Sequence, residues 1–397
     1  MWKIIFLLFF LAVIAGGLWM TFAVCRFHGI SRLVPRKWWK RMLIGAMIVI
    51  CTMIAFHFAM GFVNMVIVFL HLLIIWMICD TIAWIARSKT PRQGKHYYAG
   101  ICAIAFTTLW LCIGWYNAHD VKRTEYNLQT DKELGIDSLK VVGFSDSHIG
   151  ATLHWQEFEQ YIEQINKENP DIVVIIGDYV DDDTSKEDME RSCEALKMLK
   201  TRYGVYYVYG NHDEGYWANN RRGYTIKDLD QHLVQNKVRI LRDETVAIAG
   251  NVILCGRLDK SFGDRNKTGR LDASSLMANT KGKYVICLDH QPNDYAEEAD
   301  SKIDLVLSGH THGGQFWGLG TIGVWMGAND AYYGYERKKN TDFIVSSGIG
   351  DWAIAFKTGC ISEYIVVNIK GGKKPHINIT HKKKQAWLFE KYIHAQN

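Results

Sequence analysis

The sequence predicts an α/β unit preceded by an N-terminal bundle of about four membrane-spanning helices. Three observations predict it. Long uncharged stretches fill the first third of the chain and then stop. After them, short branched apolar runs alternate with segments whose apolar residues recur at helical spacing. Several of those runs end in acids, amides or histidines.

The membrane elements come first. Ile4 to Val24 is 21 residues without a charge, and Met42 to Cys79 is 38. The second run is about twice the roughly 20 residues that cross a bilayer. It reads as two helices turning near His57–Asn64, the second running on to Ala86. Tyr97 to His119 makes the fourth. A signal peptide would explain the first segment but not the next three. Trp38, Trp39, Trp84, Trp110 and Trp115 fall near helix ends, where aromatic rings favour the interface.

The loop after the first helix carries Arg26, Arg32, Arg36, Lys37, Lys40 and Arg41, and the loop after the third carries Arg87, Lys89, Arg92 and Lys95. Basic loops stay cytoplasmic. An integral protein of the cell or inner membrane follows, with both chain ends on the extracytoplasmic side. Asp80 sits near a helix end and reads as a solvated acid.

Charge divides the chain in the same place. The net charge is +5, yet residues 1–119 hold 11 Lys and Arg against one acid, Asp80. The remainder holds 35 against 40 acids. An acidic soluble part excludes a nucleic-acid partner, which needs a basic surface. The expected domains are 1–119 in the membrane, 120–370 as the α/β unit, and 371–397 as a basic tail containing Lys382–Lys384.

In the soluble part, Gln156 to Glu168 places Phe158, Tyr161, Ile162 and Ile165 on one helical face. Asn169-Pro170 ends it, since the residue before proline disfavours helix. Asp171 to Gly177 is branched and apolar on both faces, as a buried strand is. Glu187 to Lys200 is a second helix and Val205 to Tyr209 a second strand. Val252–Cys255, Tyr284–Leu288, Ile303–Leu307, Phe343–Ser346 and Ile361–Ile369 read as further strands. Cys193, Cys255, Cys287 and Cys360 read as buried thiols, with no close metal spacing.

Five strands end in chemistry-bearing residues: Asp146 and His148, Asp178, Asn211 to Asp213, Asp289-His290, and His310 with His312. Ligands of open α/β sheets bind beyond the carboxyl ends of strands. Each motif alone is a turn or a core histidine; five in order after strands are not. Asp178 can bridge two cations. Asp146, His148 and His312 can complete one metal shell, and Asn211, His290 and His310 the other. Carboxylate, imidazole and amide together suit manganese, iron or zinc better than calcium. Two such divalent ions clamp a phosphoryl group and activate water. His212 is the candidate general acid, and Asp213 the group that orients its imidazole. Glycines 177, 210 and 309 allow sharp turns at the ligands. Asp181 reads as support for its loop. Tyr216, Trp217, Arg221 and Arg222 could line a substrate mouth.

This string of motifs resembles the calcineurin-like metallophosphoesterase superfamily over roughly residues 124–369. Its blocks stand in order as SDSHIG, GDYVD, YGNHD, LDHQP and SGHTHGGQ. The trailing Gly313-Gly314-Gln315 is most similar to the membrane-associated bacterial branch. The resemblance implies a two-sheet β-sandwich flanked by helices. It implies metal ligands at Asp146, His148, Asp178, Asn211, His290, His310 and His312, with His212 catalytic. The branch often carries Pro-x-Arg after its late Gly-rich strand; here Gly348-Ile-Gly350 is followed by Ala355-Phe-Lys357.

The expected activity is hydrolysis of a phosphodiester, phosphomonoester or pyrophosphate at the membrane, on a lipid- or envelope-linked substrate. The alternatives are a cytoplasm-facing enzyme like UDP-2,3-diacylglucosamine pyrophosphatase, and a non-catalytic metal-binding scaffold. Phe316, Trp317, Trp325 and Met326 mark an apolar insertion that suits either contact with lipid or capping of the core.

Overall fold

The computed structural model describes residues 2–34, 37–89, 97–215, 222–261, 269–372 and 378–380. Tyr216, Trp217, Arg221 and the tail with Lys382–Lys384 lie outside the described residues. The chain divides into two units, Met1–Tyr116 with Ala353–Phe356, and Asn117–Trp352 with Lys357–Asn397.

The first unit is helical, built from Trp2–Cys25, His28–Leu33, Trp38–Lys89 and a last helix starting at Tyr98. The long helix breaks at Gly61, with φ 81° and ψ 169°. Only a residue without a Cβ takes that conformation cheaply. The break falls inside His57–Asn64. Trp38–Ala86 and Tyr98–His119 are long and apolar enough to cross a bilayer, and Leu11–Cys25 is a shorter apolar helix. Large apolar side chains face outward, among them Phe58, Phe62, Ile82 and Phe106.

Asp80 is not simply solvated. Its Oδ1 accepts from the Tyr97 hydroxyl at 2.5 Å and its Oδ2 pairs with Arg26. Trp76 Nε1 donates to the same Tyr97 oxygen at 2.7 Å. A carboxylate among apolar helices needs such partners.

The second unit holds two mixed sheets. In chain order its strands are β1 (Lys122–Thr130), β2 (Ser138–Phe144), β3 (Ile172–Ile176), β4 (Val205–Val208), β5 (Val238–Ile240), β6 (Glu244–Ala249) and β7 (Val252–Gly256). Then follow β8 (Tyr284–Leu288), β9 (Leu305–Ser308), β10 (Gly334–Lys338), β11 (Thr341–Val345), β12 (Glu363–Gly371) and β13 (Asn378–Thr380). One sheet runs β13-β1-β12-β2-β3-β4-β5 and the other β10-β11-β9-β8-β7-β6. β2, β3 and β4 are parallel, as are β7, β8 and β9. Each parallel set therefore delivers its carboxyl ends to one edge.

Period-two alternation explains the layering. In β3, Ile172, Val174 and Ile176 pack with Leu254, Ile286, Leu288, Leu305 and Leu307 of the other sheet. Val173 and Ile175 face the opposite way, toward Phe158, Ile162, Met189 and Leu229 of the covering helices. Val285, Cys287, Val306 and Phe343 pack outward with Leu276 and Tyr295. Every β3 side chain is buried, and each such burial stabilises by about 1.5–3 kcal/mol. The helix Trp155–Lys167 buries Phe158, Ile162 and Ile165, the face its spacing predicts. Lys186–Leu196 starts where the Ser185 hydroxyl accepts from Asp188 N at 3.0 Å.

Candidate metal centre

The backbone beyond β2, β3 and β9 is strained where expected ligands stand. Asp146, His148, Asp178, His310 and His312 all have positive φ, at 52°, 39°, 51°, 70° and 48°. Such conformations cost of order 1–3 kcal/mol each and persist only where neighbours over-determine them. Here the loops pin one another. Asp146 N donates to Gly177 O at 3.0 Å and His148 N to Asp178 O at 3.1 Å. His310 N donates to Asp146 Oδ1 at 2.9 Å and His212 N to Asp178 Oδ1 at 2.8 Å.

Two of the glycines act through space rather than turning. Gly177 has φ 77°, but Gly210 and Gly309 do not have positive φ. A Cβ on Gly210 would strike the Asp178 carboxylate, and one on Gly309 would strike Ser145 and Asp146.

The structure brings six expected ligands into two groups. Asp146, His148 and His312 form one, and Asp178, His290 and His310 the other, with potential ligand atoms within 4.8 Å of one another in each. Asp178 Oδ2 stands between them, 3.7 Å from His148 Nε2 and 3.1 Å from His290 Nε2. Asn211, buried, lies between Gly210 and His212 on the same loop. Asp289, beside His290, is instead neutralised by Arg257 at 3.0 Å and Arg270 at 2.9 Å.

The donor set fits cations. His148 Nε2, His290 Nε2 and His310 Nδ1 are buried without a hydrogen-bond partner among the described residues. Orphaned buried nitrogens facing carboxylates are what coordination would satisfy. The opposite ring nitrogens of His148 and His290 are already committed. His148 Nδ1 lies 3.1 Å from Asp181 Oδ2, and His290 Nδ1 2.7 Å from the Ile176 carbonyl oxygen. Such backing fixes which nitrogen presents its lone pair. Asp181 thus supports the site, its other oxygen accepting from Asp183 N and Thr184 N.

Electrostatics agree with a centre that calls for positive charge. Burial opposes protonation of His148, yet Asp181, Asp178 and Asp146 raise it to about 9. Burial likewise opposes protonation of His290, but Asp178 lifts it well above the ordinary imidazole value. Burial would raise Asp178, and the His290 charge holds it well below the carboxylate range. Protons there stand in for cations, and metal uptake would release them. His310 is pushed down to about 4 by burial and by His290.

His212 lies with its ring centroid 5.0 Å from that of His148 and 5.5 Å from that of Trp352. Burial pushes it down to about 4, so it is neutral at pH 7 in the substrate-free site. Asp213, expected to orient the His212 imidazole, accepts from backbone amides. Its Oδ2 accepts from Asp178 N at 2.9 Å and Gly210 N at 2.7 Å, and its Oδ1 from Tyr179 N at 2.8 Å and Val180 N at 3.1 Å. A carboxylate that accepts from four amides ties two ligand loops together. Arg222 donates to Asp213 O and Glu214 O at 3.0 Å each.

Three residues escaped the sequence reading of the site. Asp351 Oδ1 lies 3.3 Å from His312 Nδ1. Trp352, 44% exposed, flanks His212. Lys357, noted only as a departure in sequence, is fully buried and so offers substrate no contact. An acid and a base in a Gly-rich segment were the available signal.

Comparison with known proteins follows the same residues. Residues 139–314 match the calcineurin-like phosphoesterase family. An uncharacterised metallophosphoesterase of Aquifex aeolicus is 31% identical over 251 residues, covering 62% of this chain and 91% of that one. An uncharacterised metallophosphoesterase of Campylobacter jejuni is 31% identical over 235 residues, covering 59% and 60%. A Danio rerio transmembrane protein with metallophosphoesterase domain is 26% identical over 301 residues, covering 72% and 67%. The chain therefore belongs to the calcineurin-like phosphoesterase family. It spans 60% of the length of the Campylobacter jejuni relative.

Proposed function

We propose that this chain is a membrane-anchored, metal-dependent phosphoester hydrolase. The observation that carries this is the pair of carboxylate–imidazole groups meeting across Asp178 at strand ends of both sheets. Asp146, His148 and His312 would hold one ion, and Asn211, His290 and His310 the other, with Asp178 between. Bound there, two divalent cations (manganese first, iron or zinc next) would neutralise phosphoryl oxygens and lower the pKa of the attacking water.

The chain's own residues supply the rest. Asp213 and the cross-bonded loops hold the ligands before substrate arrives, so little reorganisation remains at reaction. His212 is neutral until the negative charge of a bound phosphoryl group favours its cation. It can then donate a proton to the leaving oxygen. Trp352 walls the same side.

The substrate we favour is a phosphodiester, phosphomonoester or pyrophosphate on a lipid- or envelope-linked molecule. Support comes from the segment after His312. Residues 313–329 hold no charge, and Trp317, Ile322 and Trp325 are 75%, 51% and 85% exposed. The membrane region is assigned to 1–119 with four spans, the catalytic domain to 120–370 on the extracytoplasmic side, and the tail to 371–397. The two apolar helices and relatives named as transmembrane proteins support the anchoring; the basic loops support the orientation.

Full-length protein in detergent should hydrolyse a chromogenic phosphodiester with Mn²⁺, and Asp178→Ala or His212→Ala should abolish this. Full rates in both variants would refute the assignment. Protease accessibility of the catalytic domain in intact spheroplasts decides the orientation, and protection would place it in the cytoplasm.

A further inference from the structure

His312 is backed from a distant part of the chain. Asp351 Oδ1 lies 3.3 Å from its Nδ1. Asp351 is fully buried, and neither carboxylate oxygen has a hydrogen-bond partner among the described residues. Burying a carboxylate without bonds is costly, so its retention calls for a charge that needs it. Two groups face it. One is the His312 ring. The other is the Lys357 ammonium, 3.3 Å from the same Oδ1.

Lys357 is fully buried too. Its Nζ donates to Ser347 O at 2.7 Å, Ser362 Oγ at 3.0 Å and Gly350 O at 3.3 Å. Those acceptors are neutral, so they fix the ammonium without answering its charge. Asp351 answers it. The Asp351 amide donates to Thr152 Oγ1 at 2.9 Å, which pins the backbone under the carboxylate. The result is a buried row of ammonium, carboxylate and imidazole.

We propose that Asp351, held by Lys357, is a positioning residue for the metal ligand His312. The carboxylate keeps the proton of His312 on Nδ1. Nε2, 3.7 Å from Asp146 Oδ1, then turns its lone pair toward the group of Asp146 and His148. Carboxylate backing of this kind orients a ligand ring and raises its basicity. Asp181 hydrogen-bonds His148 Nδ1, whereas Asp351 meets His312 Nδ1 at 3.3 Å without a hydrogen bond; both imidazoles of this group face acids, and His290 rests on a neutral carbonyl. This inference depends on the metal-centre assignment above.

The test is Mn²⁺ titration of the full chain in detergent, with metal analysis of the loaded protein. Asp351→Asn alone strands the Lys357 charge, so it is paired with the double variant Asp351→Asn, Lys357→Met, which removes both. We expect both variants to lose about 10–100-fold affinity at one of two sites, with the other site unchanged. Cobalt substitution should alter the visible spectrum of one ion only. A merely structural role would lower the melting temperature of the chelated protein and leave both affinities intact. A folded double variant that binds two ions with wild-type affinity overturns the proposal. Wild-type protein that binds none overturns the metal centre itself, a result the two variants cannot mimic.

Discussion

Gly210→Ala presses directly on the expected ligand Asp178. Gly210 has an ordinary backbone, so alanine strains no dihedral there. Its Cβ, however, would lie 2.7 Å from Asp178 Cγ and closer still to Asp178 Oδ1 and its amide. Ordinary contact begins at 3.4 Å, so the Asp178 carboxylate and amide have to retreat by about 1 Å. Overpacking costs about 1–3 kcal/mol, which lowers the melting temperature without unfolding the domain. Coordination is less forgiving, because metal distances tolerate about 0.2 Å and a shift near 1 Å at a reacting centre can cost about 100-fold in rate. The assay is Mn²⁺ stoichiometry and phosphodiesterase rate beside a melting curve. Gly323→Ala is the control, since a Cβ there meets nothing within 4 Å. A folded Gly210→Ala protein with two ions and wild-type turnover would refute the reasoning.

Other outcomes follow from the same geometry. His212→Ala should lower kcat by about 10²–10⁴-fold with both Mn²⁺ affinities kept, read by steady-state kinetics and titration. Asp80→Ala should cost about 1–2 kcal/mol in detergent melts, modest because the Arg26 side chain is 45% exposed; an unchanged midpoint would mean the Asp80–Tyr97–Trp76 contacts carry no stability. Trp317→Ser with Trp325→Ser should slow hydrolysis of a vesicle-borne phosphoester and spare a soluble one. Equal slowing of both would assign the two rings to the fold instead of to lipid.

The site was far more legible in the sequence than the sheets that carry it. Asp146, Asp178 and the histidines fall directly after apolar runs, so the residue types announce a centre before any strand is paired. Which strands meet was not legible. β1 reads Lys-Arg-Thr-Glu-Tyr-Asn-Leu-Gln-Thr, yet it buries Thr124, Tyr126 and Leu128 and pairs in parallel with β12. Only a partner far along the chain makes that polar run a strand. The helix Ile226–Gln235 carries a capping box from Thr225 and Asp228, a local signal that went unused. The backbone partners of Asp213 and Arg222 were not legible: spacing places a charged side chain near a site but does not tell whether backbone amides or carbonyls have already claimed it. Asp351 was harder to place because its neighbour His312 is distant in sequence.

Anomalous diffraction from crystals of the Mn²⁺-loaded full chain tests the central claim most directly. Two peaks roughly 3.5–4 Å apart, flanking Asp178 and absent from Asp178→Ala crystals, are the predicted result. No anomalous density between Asp146 and His290 at saturating Mn²⁺ would contradict it.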